Sequence, residues 1–148
     1  MKQTYLVIVC LFLAISGLST ANAAPNSIEI PLVGGTAAPG QKLSVDATKL
    51  IPDVNYKIHC SVNSTSATMT HISIGGVFGY DNFPATVNGK NIGSISLLGQ
   101  NAMLNAGNND FTMPVYRITL NRSGAILDFL NLDDAATIVV SGCVATPV

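Results

Sequence analysis

The chain has 148 residues, with seven basic and eight acidic side chains and a formal net charge of −1. No basic stripe is present to neutralise phosphates and no polybasic patch to hold anionic lipid, which argues against nucleic-acid and membrane-surface binders. The surface must instead be polar through Asn, Ser, Thr and Gly, and its weak charge lowers the repulsion that keeps copies apart, so a homo-oligomer is a mild expectation.

The first 23 residues read as a cleavable signal peptide. Lys2 supplies a positive start, Tyr5 to Leu18 is almost wholly apolar, and Ala21-Asn22-Ala23 is a small-residue cleavage signal. The apolar run falls short of the roughly 20 residues a spanning helix needs, so no membrane span is expected after cleavage. Cys10 leaves with the leader. What remains, 24–148, is one domain in a periplasmic or extracellular setting, and the Lys-led leader and compact size point to a bacterial source.

From there the chain alternates apolar and polar residues, the period of strands. Ile28, Ile30 and Leu32 form a first run, broken at Gly34-Gly35. Leu43, Val45 and Ala47 form a second. Val54 to Val62 is the clearest strand, with Val54, Tyr56, Ile58, Cys60 and Val62 on one face; a one-residue slip would turn all five outward. Further strands are predicted at Thr68–Ile74, Gly76–Tyr80, Ile92–Leu98, Phe111–Leu120, Ala125–Leu130 and Thr137–Val144. Turn residues separate them, among them Asn105 to Asp110 and Asn88-Gly89, the latter a type I′ hairpin signal. Pro114 cannot donate to a ladder and predicts an edge or a bulge. Leu127 to Ala136 offers a short helical turn as an alternative, capped by Asp133 or Asp134. Eight or nine short strands imply an all-β, single-domain, two-sheet antiparallel sandwich, with a closed barrel as the alternative.

Cys60 and Cys143 are the two cysteines left after cleavage, and an exported chain should join them in a disulfide. Cys60 shares the inward face of its strand. Cys143 falls out of phase with Ile138 and Val140, and a bulge at Ser141-Gly142 would bring it back. A strand buried on both faces is the plainer alternative.

Two cysteines on separate strands of such a sandwich resemble the immunoglobulin-type fold, and the resemblance implies a bridge between the sheets. The chain departs from that family's antibody domains in having no Trp and in placing Ser141 two residues before the second Cys. The bridge is therefore expected either between sheets or between strands.

The segment Gly75 to Pro84 is the candidate partner-binding loop. Phe78, Tyr80 and Phe83 are three of the seven aromatic residues after the leader, and Asp81 and Asn82 lie beside them. Aromatic side chains on a loop anchor partners, although the same residues also serve as core cover. His59 and His71 would approach each other, as a metal pair needs, only if their strands paired. Asn105 to Asp110 has carbonyls and one carboxylate for calcium. No Gly-x-Ser-x-Gly elbow, Cys-x-x-Cys or facing pair of carboxylates occurs, and no catalytic residue, metal or cofactor is expected.

These readings favour a non-catalytic interaction module with a protein partner. One alternative is a surface-fibre subunit. The cleavable leader, two cysteines and abundant Gly, Asn, Thr and Ala resemble fimbrial subunits, a resemblance that implies Ser27–Val33 is donated to a neighbour's sheet. The first cysteine lies far from the start and the chain ends in Val148 without a nearby Tyr, both unlike that family. A second alternative is an inhibitor of an envelope enzyme, presenting Gly75 to Pro84.

Overall fold

A computed structural model describes residues 28–47, 49–75, 77, 81–118 and 127–148. The expected leader lies outside the described residues, as does the expected strand at 76–80 apart from Val77. Among the described residues, eleven strands form and no helix.

A seven-stranded sheet contains β1 (Ile30–Leu32), β2 (Gly35–Ala37), β4 (Tyr56–Ser64), β6 (Phe83–Val87), β7 (Lys90–Ile95), β9 (Gly107–Tyr116) and β11 (Ile138–Pro147). Its order is β1-β11-β4-β9-β6-β7, with β2 beside β1 on the same edge of β11. A four-stranded sheet runs β3 (Lys42–Val45), β10 (Leu127–Asn131), β5 (Thr68–Ile74) and β8 (Gln100–Leu104). All pairings are antiparallel. The architecture is therefore the expected sandwich.

Alternation in sequence becomes burial in space. Tyr56, Ile58, Cys60 and Val62 of β4 are all buried, and so are Ile72 and Ile74 of β5. Phe111 of β9 meets Phe129 of β10 edge-on across the interior, with ring centroids 5.5 Å apart. This contact between sheets adds about 0.5–1.5 kcal/mol to the burial of the two rings.

Strand β4 is central, and a bulge lies on each side of it. On β11, Ser141 faces Ser61 while Val144 faces His59, so one extra residue is accommodated between them. Gly142 takes φ +55° there, the left-handed conformation that glycine adopts without a Cβ penalty. The shift turns Cys143 inward, in phase with Ile138 and Val140, as the sequence conflict required. On β9, Tyr116 faces Tyr56 while Met113 faces Ile58. The extra residue falls at Pro114-Val115, both exposed, which is the bulge expected of a proline in a paired strand.

The disulfide joins Cys60 to Cys143, with Cα atoms 4.0 Å apart. Both cysteines are buried, and both belong to the seven-stranded sheet, on adjacent strands. This corrects the immunoglobulin-like expectation of a bridge between sheets. Contact between the sheets here is left to side chains such as Phe111 and Phe129.

Several local expectations also resolve. Asn88 and Gly89 both take positive φ, +52° and +73°, closing the β6–β7 hairpin. Leu127 to Asn131 is strand, and the helical-turn alternative is not adopted. Asp133 still caps, its Oδ1 accepting from Ala135 N and Ala136 N at 2.8 and 3.1 Å. Those two backbone bonds hold its carboxyl below the usual carboxylate range. The cap is therefore present above that range and fades as acid protonates the group. From Ile30, the first run pairs with β11 of its own chain. Ile28 stands exposed ahead of it.

Replacing Cys60 and Cys143 by Ala should lower stability by about 4–5 kcal/mol, through freedom restored to a loop of this length in the unfolded chain. For a domain of this size, that is a fall in melting temperature of roughly 10–20 °C. Coincident melting of oxidised and reduced protein would exclude a structural role for the bridge. Gly142→Ala should cost about 1–2 kcal/mol from the left-handed backbone alone.

Candidate functional site

The loop between β5 and β6 is fixed at both ends by one buried residue, Tyr116. Its hydroxyl donates to the Gly75 carbonyl at 3.1 Å. Its ring meets Phe83 at a centroid distance of 5.2 Å and an interplanar angle of 56°. Between these anchors Val77 is buried, while Asp81 is half-buried and Asn82 is exposed. Burial raises the Tyr116 phenol above its ordinary range, and the negative charge of Asp81 raises it further. Phe83 and Asp81 thus meet around Tyr116, whereas Asn82 is exposed on the same stretch. Phe78 and Tyr80 lie outside the described residues.

Phe83 is half-buried and packs against the core. It contributes to the base of the loop more than to its free surface.

The two histidines are not brought together. His59 is on β4 of the seven-stranded sheet and His71 is on β5 of the four-stranded sheet, so their strands do not pair. His59 lies 3.6 Å from Asp110, both well exposed. His71 is bound twice, to Asn101 Oδ1 at 2.8 Å and to the Leu98 carbonyl at 3.0 Å. Among the described residues, no group of three or more His, Cys, Asp or Glu is close enough to share a metal ion.

The Asn105 to Asp110 segment corrects a sequence expectation. It is only in part a turn, because β9 begins at Gly107. Asn109 Nδ2 donates to the carbonyls of Val62, Asn105 and Gly107 at 3.2, 2.9 and 3.1 Å. Its Oδ1 accepts from Asn105 N at 2.8 Å and from Asn88 Nδ2 at 2.9 Å. A neutral amide holds the converging carbonyls that the calcium reading assigned to a cation. Asn88 in turn accepts from Asp110 N at 2.9 Å, tying the β6–β7 hairpin to β9.

Asn131 does equivalent work at the other sheet. Its Nδ2 donates to Ala136 O at 2.6 Å and Ala37 O at 3.4 Å, and its Oδ1 accepts from Asp133 N at 3.2 Å. Neither asparagine stands out by composition, yet the sequence carries a signal for both. Asn109 is in phase with Phe111 and Met113, and Asn131 with Leu127 and Phe129. An amide at an inward position needs internal partners.

Comparison with protein-family models, with curated proteins and with solved structures finds no match to this chain.

Asn109→Ala should destabilise the fold by about 1–3 kcal/mol, because the carbonyls of Val62, Asn105 and Gly107 lose their buried donor. Asn109→Asp should cost more, since a carboxylate repels the same carbonyls. A chemical-denaturation series measures both, and an Asp variant as stable as wild type would refute this account. Tyr116 should remain protonated above the ordinary range of a tyrosine phenol. Its proton is held more tightly in the folded than in the unfolded chain. This stabilisation is therefore complete below a pH of about 10 and declines as pH rises through the folded-state value. Phenolate absorbance followed to alkaline unfolding measures this, and full ionisation of Tyr116 in the folded protein at a pH of about 10 would refute it.

Proposed function

We propose that the protein is an exported, non-catalytic β-sandwich that binds a protein partner through the loop between β5 and β6. The observation that carries this reading is the double anchoring of that loop. Tyr116 holds Gly75 at one end and Phe83 at the other, so Asp81 and Asn82 are presented from a fixed base. Ends that are held before contact have less conformational freedom left to lose on binding. The buried Cys60–Cys143 bridge is consistent with an oxidising, exported environment. No helix among the described residues is long and apolar enough to cross a membrane.

The surface-fibre alternative asks Ile30 and Leu32 to sit in a neighbour's sheet. In this chain they cover β11 of the same molecule, which supports an ordinary first strand. The enzyme-inhibitor alternative uses the same loop and differs only in the partner.

Asn82→Arg in the intact exported protein should abolish capture of a partner from native periplasmic or extracellular fractions while the protein stays folded. Phe83→Ala should instead lower stability by about 1–3 kcal/mol, as expected for a half-buried ring that packs on Tyr116. Capture that survives Asn82→Arg would remove the loop from the binding site.

A further inference from the structure

A sheet edge is a row of unpaired backbone groups, and proteins normally block such edges with charge, proline, a bulge or a covering segment. Three of the four edges here are blocked. On β11, the edge is covered by two three-residue strands, one containing Pro31. Strand β3 carries Lys42, paired with Asp128 at 3.1 Å, and continues into an Asp46–Val33 bridge that links it to the end of β1. Strand β7 carries Lys90, a register shift against β6, and Gly93 at φ +99°.

Among the described residues, the fourth edge, β8, has none of these. Gln100-Asn101-Ala102-Met103-Leu104 contains no charge and no proline, and it pairs with β5 in five consecutive, unshifted positions. Among the described residues, no strand pairs with its outer side. On the solvent face Met103 stands directly opposite Met69, and Leu132 N bonds to the Met69 carbonyl. Met69, Met103 and Leu132 are 43%, 58% and 47% exposed, an apolar row that reaches the open edge.

We propose that β8 is a self-association edge, whose occupant is β8 of a second copy paired antiparallel about a two-fold axis at Met103. Gln100 lies beside Gly93 of β7, and both backbone groups of Asn105 are bound to Asn109. The open stretch is therefore Asn101 to Leu104. Two-fold pairing at Met103 sets Ala102 of each copy opposite Leu104 of the other and joins the two apolar rows end to end. An isologous contact needs this self-complementarity. The two four-stranded sheets become one of eight strands. A second copy fits better than a charged peptide because the edge offers no charge to select one. The contact is small beside the roughly 1,200–2,000 Å² of a stable interface, so the dimer is weak and concentration-dependent. This interface is distinct from the loop between β5 and β6.

The test is sedimentation of the oxidised protein, without its leader, across a concentration series, for wild type and Met103→Lys. Wild type should show a reversible monomer–dimer equilibrium. Met103→Lys places two ammonium groups across the axis and should weaken dimerisation by about tenfold or more, without moving the melting temperature. Met103→Cys should form a disulfide-linked dimer on oxidation, and Met69→Cys should not. Wild type that stays monomeric to its solubility limit overturns the proposal. So does a dimer unaffected by Met103→Lys, or a Met103→Cys protein that does not cross-link.

Discussion

The register of β11 against β4 is the constraint on which the rest of the seven-stranded sheet depends. Strand β11 must deliver Ile138 and Val140 to the core and then also Cys143 and Ala145, which strict alternation forbids. The bulge at Ser141-Gly142 resolves this, and it can form there because glycine takes positive φ at little cost. The disulfide then locks the shifted register covalently. Slipping back would turn Cys143 to solvent and pull it away from Cys60. The bridge and the bulge act together, since the bridge needs the shifted register and in turn locks it.

Consequences run outward from that point. On the far side of β11 a single long partner strand would have to follow the same irregularity. The chain instead splits into β1, paired with Leu32 opposite Cys143, and β2, paired with Gly35 opposite Val140. Gly34 sits at the join, where a Cβ would fall onto the Val140 carbonyl oxygen. The sequence break at Gly34-Gly35 and the bulge at Gly142 are therefore matched features of neighbouring strands. On the other side of β4, Pro114 imposes a second bulge, and Tyr116 re-enters the core beyond it to hold the β5–β6 loop. The anchoring of the loop's two ends is thus inherited from a proline on β9, outside the loop itself.

Much of this is legible in the sequence. Inward faces at β4, β5 and β11, the Asn88-Gly89 hairpin and the irregularities at Pro114 and Gly142 follow from period and from residues with restricted or permissive φ. Three strands are not legible. Strand β2 is Gly-Thr-Ala, too short to show an alternating run, and β6 opens on Phe83-Pro84 at the end of the segment read as a loop, which hides the alternation of Phe83, Ala85 and Val87. Strand β8 inverts the usual pattern, exposing Met103 and burying Ala102. Aromatic residues mark the β5–β6 loop, but its anchor, Tyr116, lies on β9. That residue is distant from Phe83 along the chain, and only the fold brings the two rings together. The buried amides escape a reading by composition, which places Asn in turns. Phase alone shows when one must face inward.

The irregularities are not shared evenly between the sheets. Among the described residues, every register shift falls in the seven-stranded sheet, at β11, β9 and the β6–β7 ladder. The three ladders of the four-stranded sheet run without one. Bulges add local twist and bend the strand that carries them, so the larger sheet can curl over the smaller. The smaller sheet stays regular, and a regular sheet ends in a regular edge. At β3 that edge is closed by Lys42 and by the Asp46–Val33 bridge, both supplied by the chain's early strands. At β8 the chain passes directly from the seven-stranded sheet through the turn at Ser96–Gly99, and among the described residues no strand pairs with its outer side. Gly99 is tied into that turn at φ +74°, and a Cβ there would strike His71 and the Ile72 carbonyl, so the approach to β8 is fixed as closely as its own pairing. An open edge held this rigidly keeps its donors and acceptors in line, which is the condition a second strand needs in order to add to a sheet.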